Sequence, residues 1–161
     1  MKGGNDMRNT FGVIIVLLTC LLILPCSQDV NGAEWKLYWE GESLLFFYDA
    51  DSINFLPNNI RRVWVQIIPN SEQDRVGHIQ HMRKTGRTIP DNWGFTRTLM
   101  EFDCENRTSA ILSFRLYSTK DESIKGETFT DHSFLYIEPE TQKEALYRIV
   151  CAEKDTKKKG R

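Results

Sequence analysis

The chain has 161 residues, a length that suits one ordinary domain, with 21 basic and 22 acidic side chains and a formal net charge of −1. This balance lacks the excess of positive charge with which nucleic-acid-binding domains contact phosphates, so nucleic acid is excluded as a partner. Aromatic residues make up 11% of the chain, which is enough for a substantial core because aromatic side chains dominate burial energetics.

The first 33 residues have the layout of a secretory signal peptide. Lys2 and Arg8 precede a mostly apolar stretch from Phe11 to Pro25, and small or polar residues follow up to position 33. The stretch is shorter than the roughly 20 residues that a spanning helix needs. We therefore predict export and removal of residues 1–33. The alternatives are an uncleaved membrane anchor and a lipoprotein signal that would acylate Cys26.

Three strands are predicted at the start of the mature chain. The first covers 33–40, where Trp35, Leu37 and Trp39 alternate with polar neighbours as in a half-buried strand. A gap containing a glycine separates it from the second, 44–53, which predicts a hairpin. The third covers 60–68, is rich in β-branched and aromatic residues, and follows a Pro-Asn-Asn turn.

The periodicity changes after the third strand and predicts a short helix over 72–84. Ser71 suits the N-cap, Val76 and Ile79 begin an apolar stripe, and Gly86 suits the helix stop.

Two further strands alternate clearly and predict a second hairpin. In the strand over 96–104, one face carries Thr98, Met100, Phe102 and Cys104. In the strand over 109–118, one face carries Ser113, Arg115 and Tyr117, and the opposite face is apolar.

The remaining residues predict a polar, mobile connection over 119–132, a short strand within 133–138, and a C-terminal helix that begins at Pro139 and buries Leu146 and Val150. The order of elements predicts an α+β fold. We expect an antiparallel sheet of five to six strands, with the C-terminal helix packed on it and a short helix between strands 3 and 4. One domain would cover 34–151, followed by a basic disordered tail, 152–161.

Removal of the signal leaves two cysteines, Cys104 and Cys151. Two cysteines in an exported domain predict one disulfide, which would tie the last helix to a strand end; two buried free thiols are the alternative.

The order and spacing of "EWKLYW", "FYDADSI", "RRVWVQII", "EFDC", "AILSFRLY" and "YIEPETQKEALYRIVC" resemble the bacterial surface-adhesin protein E-like domain over residues 34–151. The resemblance implies a small extracytoplasmic domain whose sheet is backed by a C-terminal helix, with Cys104 and Cys151 as the family's cysteine pair. It also implies outer-surface adhesion to host matrix and serum proteins, although relatives in free-living bacteria would not meet such ligands.

No catalytic, cofactor or metal site is predicted. His78 and His81 share a helix face with Asp74, but no further ligand completes a metal set. Asp49 and Asp51 point the same way on a strand, which suits a cation site or an acid–base pair, but Asp51 also suits a turn. Nucleophile elbows, phosphate-binding loops and dinucleotide fingerprints are missing from the sequence.

The sequence thus predicts an exported, non-enzymatic binding domain of the periplasm or cell envelope, adhesin-like and directed at protein partners. An aromatic-bearing face or edge would make the contact, with Trp35, Trp39, Trp64 and Trp93 as its candidates and an edge-paired homodimer as a further hypothesis. Membrane contact would need an uncleaved signal or a lipid anchor.

Two alternative functions are compatible with the sequence. One is a periplasmic enzyme or enzyme inhibitor whose site forms only on folding, and the other is a structural envelope lipoprotein.

Overall fold

The structure is a computed structural model that describes residues 32–131 and 133–152. The predicted signal up to residue 31, with Cys26, and the tail from residue 153 lie outside the described residues. Within the described ranges, no helix combines the length and apolar character that crossing a membrane requires.

The described residues form eight strands and two longer helices, with one 3-10 turn at Ala50–Ser52. The strands are β1 (Trp35–Glu40), β2 (Leu44–Asp49), β3 (Asn54–Phe55), β4 (Ile60–Pro69), β5 (Trp93–Asp103), β6 (Thr108–Ser118), β7 (Ser123–Thr128) and β8 (Leu135–Tyr136); the helices are α1 (Glu72–Lys84) and α2 (Gln142–Ala152).

The strands make one antiparallel sheet in the order β1-β2-β4-β5-β6-β7, with β3 paired to β4 and β8 paired to β6. Successive main strands lie side by side, and helix α1 lies in the connection between β4 and β5. The predicted α+β fold is confirmed, including the helix between the third and fourth predicted strands, which are β4 and β5 here.

Both helices cover the same face of the sheet. Leu146 and Val150 of α2 are fully buried in a cluster that includes Val65 of β4, whereas Ile79 of α1 packs in a second cluster with Phe114 of β6. Val65 lies opposite Thr98, and Thr98 lies opposite Phe114, so this row of side chains points to one side of the sheet. We call the opposite side the helix-free face.

Helix α1 follows its sequence prediction closely. The hydroxyl of Ser71 accepts a hydrogen bond from the backbone N–H of Asp74 at 3.1 Å, which caps the N-terminus. Gly86 has a φ of 78°, and the N–H of Arg87 reaches the carbonyl of Met82 at 2.9 Å, which closes the C-terminus.

The start of α2 was predicted wrongly. The helix begins at Gln142 instead of Pro139, because Glu140 has a left-handed φ of 60° that a helix cannot contain. Thr141 takes the capping role, since its hydroxyl accepts from the N–H of Glu144 at 3.3 Å.

The polar connection was also predicted wrongly in part, because Ser123–Thr128 forms the edge strand β7. Its backbone pairs with β6, so hydrogen bonding to a well-formed neighbour overrides the weak strand preference of its side chains.

A disulfide joins Cys104 and Cys151 across a Cα–Cα distance of 5.6 Å, so the free-thiol alternative does not hold. Cys104 directly follows β5, and Cys151 is the penultimate residue of α2. The Tyr147 hydroxyl adds a hydrogen bond to the carbonyl of Cys104 at 3.1 Å. These bonds hold α2 on the sheet.

Candidate binding face

The predicted tryptophan surface is divided by a bulge in β1. Leu37 lies opposite Phe47, but Trp39 lies opposite Phe46, so Tyr38 is an extra residue in the ladder. Phe46 and Phe47 point to opposite faces because side chains alternate along a strand. Trp39, which is 37% exposed, is therefore on the helix side, whereas Leu37 and Trp35 are on the helix-free face.

Trp93 is a core residue and not part of a contact surface. It is 1% exposed, its indole N–H donates to the Thr96 hydroxyl at 3.0 Å, and the His78 ring lies 5.0 Å from its ring. Trp64 is half-buried and lies opposite Leu99, which is on the helix-free face. Two of the four predicted tryptophans, Trp35 and Trp64, thus share a face.

An arginine held between aromatic rings lies at the middle of the helix-free face. The guanidinium carbon of Arg97 is 4.8 Å from the Tyr117 ring centroid, 5.1 Å from that of Phe95 and 5.5 Å from that of Trp35. The rings of Phe95 and Tyr117 are stacked at 4.7 Å. Arg97 also donates from Nε to Oε1 of Gln66 at 2.9 Å. We call Trp35, Gln66, Phe95, Arg97 and Tyr117 the Arg97 cluster.

The cluster spans most of the sheet. Trp35 is on the edge strand β1, and Arg97 is on β5, three strands away, which is about 14 Å at the usual strand spacing. Because the Arg97 guanidinium nevertheless lies within cation–π distance of Trp35, the two side chains must lean toward each other across β2 and β4. These contacts restrain the rotamers before any partner arrives, which lowers the entropic cost of binding.

Two positively charged side chains lie at the cluster. Arg97 lies opposite Arg115 in the ladder, and its guanidinium forms a long ion pair, at 3.9 Å, with Oδ1 of Asp121. Among the described residues, Arg115 has no ion-pair partner. The Arg97 side chain keeps 32% of its surface exposed, so the cluster can still bind an acceptor from outside. Such an arrangement favours a partner that carries carboxylates.

The paired aspartates found in the sequence have a structural role. The Asp49 carboxylate accepts from the backbone N–H groups of Asp51 at 3.1 Å and Glu34 at 3.2 Å. It therefore caps the 3-10 turn and fastens the start of β1, while Asp51 is exposed and does not join it. The turn that the sequence assigned to Asp51 is thus capped by Asp49.

The histidines of α1 line a shallow groove of about 390 Å³ together with Asp74. The Asp74 carboxylate instead accepts from the Ser71 hydroxyl at 2.5 Å. Burial, and then the neighbouring His81, lower the pKa of His78. Within the described ranges, no group of three histidine, cysteine or carboxylate side chains could hold a metal ion.

The sequence reasoning missed Arg97, Phe95 and Tyr117 as site residues. Arg97 occupies a polar position of an alternating strand, which normally indicates simple exposure to solvent. A usable signal was the pairing of the predicted hairpin, since the alternation on both strands places Arg97 and Tyr117 on the same side.

The family model for surface-adhesin protein E matches residues 35–152. The chain belongs to the surface-adhesin protein E family. Family membership makes the chain an adhesin-like surface protein, as the resemblance implied.

Solved structures of Haemophilus influenzae protein E are among those similar to the chain. One is 13% identical, with a TM-score of 0.47, and the match covers 73% of this chain and 83% of that one. A second crystal form is 14% identical, with a TM-score of 0.44 and coverage of 66% and 80%. Comparison with curated protein sequences finds no match.

Proposed function

We propose that the protein is an exported, non-enzymatic binding domain that contacts a protein partner through the Arg97 cluster. Family membership supports the adhesin-like part of this proposal. The contact surface rests on one observation, the Arg97 side chain surrounded by three aromatic rings on a sheet face that neither helix covers.

The composition of the cluster suits protein recognition. Tryptophan, tyrosine and arginine are the residues most enriched among interface positions that dominate binding energy. Their large side chains bury much area, and here they are already held in place by one another. Arg97 and Arg115 select partners with an acidic segment, because a carboxylate on the partner would satisfy the exposed guanidinium donors.

The alternative functions have less support in the structure. Enzyme or inhibitor chemistry at Asp49 is disfavoured because its carboxylate already binds two backbone N–H groups. A structural envelope lipoprotein would depend on acylated Cys26, which lies outside the described residues.

Mass spectrometry of the mature N-terminus distinguishes cleavage of the signal from lipidation. A start near Glu34 supports signal cleavage, and a lipid-modified Cys26 supports anchoring.

Homodimerisation through a sheet edge stays a prediction. The edges are β1 and β7, and both carry charges, with Lys36 and Glu40 on β1 and Lys125 and Glu127 on β7. Charged edges oppose strand pairing between chains. Gel filtration across a wide concentration range tests the point, and a purely monomeric profile contradicts the dimer.

A binding assay with matched tryptophan variants tests the proposed surface. Purified serum and extracellular-matrix proteins are immobilised singly and exposed to the wild-type domain, the Arg97→Ala variant, the Trp35→Ala variant and the Trp39→Ala control. Loss of a residue that dominates an interface raises Kd about 30-fold or more. We expect this for Arg97→Ala and Trp35→Ala, and less than about two-fold for Trp39→Ala because Trp39 lies on the other face.

Two results would contradict the proposal. Equal loss of binding in the Trp35 and Trp39 variants would show that the helix-free face is not the contact surface. A wild-type domain that binds none of the immobilised proteins would contradict the adhesin-like function itself. Biotinylation of intact cells with a membrane-impermeant reagent tests exposure at the cell surface, which requires that the mature domain be labelled without permeabilising the outer membrane.

A further inference from the structure

A cavity of about 490 Å³ lies on the helix side of the sheet, away from the Arg97 cluster. Helix α1 and the loop that follows it form one wall, and β5, β6 and β7 form the other. Its size falls within the range of about 300–1,000 Å³ that is usual for small-molecule sites.

The interior of this cavity is mostly apolar. Met82 of α1 and Ile89 of the following loop face Phe114 and Leu116 of β6. These four side chains belong to the hydrophobic cluster beneath α1, so the cavity is a gap in a core. Apart from His78, the neutral polar side chains that line it among the described residues are Thr88 and Thr96, and the Thr96 hydroxyl already accepts from the Trp93 indole. A ligand that fills the gap must therefore present an apolar body.

Positive charge is concentrated at the cavity wall. Arg87 and Lys125 both line the cavity and are exposed, and Lys125 lies opposite Leu116 in the ladder, which directs it to this side of the sheet. Among the described residues, no carboxylate lines the cavity and neither cation has an ion-pair partner, although Glu127, opposite Phe114 in the ladder, also points to this side of the sheet. His78 also lines the wall, but burial lowers its pKa, so it is neutral at neutral pH.

We propose that this cavity binds a small amphipathic monocarboxylate, an aliphatic chain with one carboxylate head. The chain would lie against Met82, Phe114 and Leu116, and the head would lie between Arg87 and Lys125. A ligand of this class satisfies both features at once, because apolar burial supplies most of the affinity and the cations select the charge.

Titration calorimetry with a series of straight-chain carboxylates tests the proposal on the purified domain. Each methylene buried contributes about 0.8 kcal/mol, which corresponds to about a four-fold change in Kd. Decanoate should bind at a single saturable site, and octanoate should bind about 14-fold more weakly because it has two methylenes fewer. Decanol, which has the same chain without the charge, should bind more weakly than decanoate.

Variants locate the site. The double substitution of Arg87→Gln with Lys125→Gln should weaken decanoate binding by between about two-fold and 25-fold, the range for two exposed ion pairs, and leave decanol binding unchanged. Lys84→Gln is the matched control, because Lys84 is exposed on α1 but does not line the cavity. Met82→Trp should weaken binding by narrowing the gap. Thr88→Trp, on the exposed loop, provides a second blocking variant that leaves the core intact.

Three results would overturn the proposal. The first is no saturable binding of decanoate at millimolar concentration. The second is equal affinity for decanoate and decanol, which would remove the role of the cations. The third is unchanged decanoate binding in the folded Thr88→Trp variant, which would place the ligand elsewhere.

Discussion

Removing the disulfide between Cys104 and Cys151 should destabilise the domain strongly without changing its fold. The bond joins the end of β5 to the last turn of α2 and closes a loop with a sequence separation of 47. The perturbation is a double substitution of both cysteines by alanine. Each cysteine is only half-buried, so truncation of the side chains leaves little new cavity.

The expected magnitude follows from the length of the closed loop. A cross-link over about 47 residues removes chain entropy from the unfolded state that is worth about 4 kcal/mol at 25 °C. For a folded domain of roughly 120 residues the unfolding entropy is about 0.25 kcal/mol/K, so the loss corresponds to a Tm lower by about 16 °C. Because small domains are stable by only about 5–15 kcal/mol, this is a large fraction of the total.

Thermal unfolding followed by circular dichroism measures the effect. The wild-type domain is compared with the double alanine variant, each with and without a strong reductant. The reductant should lower the Tm of the wild type toward that of the variant and should leave the variant unchanged.

A fall in Tm of less than about 3 °C in both the reduced wild type and the variant would refute this reasoning. It would mean that contacts between α2 and the sheet persist in the unfolded state and keep the loop ends together there. The disulfide would then remove little chain entropy from the unfolded state.

Other positions give sharper local tests. Leu146→Ala should cost about 2–5 kcal/mol in the free energy of unfolding, since Leu146 is 0% exposed, whereas Leu135→Ala, at 61% exposure, should cost less than about 0.5 kcal/mol; urea unfolding compares them. The backbone N–H of Glu140 donates to the Glu144 carboxylate, and the guanidinium groups of Arg148 and Arg107 also donate to it. These contacts hold the pKa of Glu144 below its ordinary 4.5. The stability that this carboxylate contributes is fully present above pH 4.5 and is lost as the pH falls through its folded-state pKa, so Glu144→Gln should lower the Tm more at pH 7 than at pH 3, with Glu140→Gln as an exposed control. The lowered pKa of His78 means that the unfolded state binds more protons near pH 6.5, so the urea midpoint should fall between pH 7.5 and pH 5.5, and the fall should be smaller in His78→Gln.

Much of the fold could be predicted because local signals and tertiary structure agree. The Pro-Asn-Asn turn is an example, since Asn58 and Asn59 both adopt left-handed φ angles, 58° and 57°, that few other residues tolerate. Alternation in β5 is another, because Met100 and Phe102 are buried on the face that the two-residue period assigns to them. In the turn, asparagine is one of the few residue types that suit the left-handed backbone. In β5, the apolar side chains determine which face of the strand is buried.

The tryptophan surface could not be predicted because it depends on one irregular residue. Regular alternation puts Trp35 and Trp39 on one face, but the bulge at Tyr38 moves Trp39 to the other. A bulge of this kind leaves no mark in the sequence of a single strand, since it is a property of the pairing.

Apart from the pairing of Arg97 with Tyr117 on one hairpin, the Arg97 cluster was beyond sequence reasoning for a related reason. Its members come from β1, β4, β5 and β6, and the contact between Trp35 and Arg97 bridges strands that are not neighbours. Sequence patterns describe one strand or one hairpin at a time, so they cannot show which long side chains lean together across a sheet.

Hydroxyl-radical footprinting of the two β1 tryptophans tests most directly whether the helix-free face makes the contact. The domain is oxidised alone and in complex with a serum or matrix protein that it binds, and the oxidation of Trp35 and Trp39 is quantified by mass spectrometry. We predict that the partner protects Trp35 and leaves Trp39 as reactive as in the free domain. Protection of Trp39 with unchanged Trp35 would place the contact on the helix side and contradict the account.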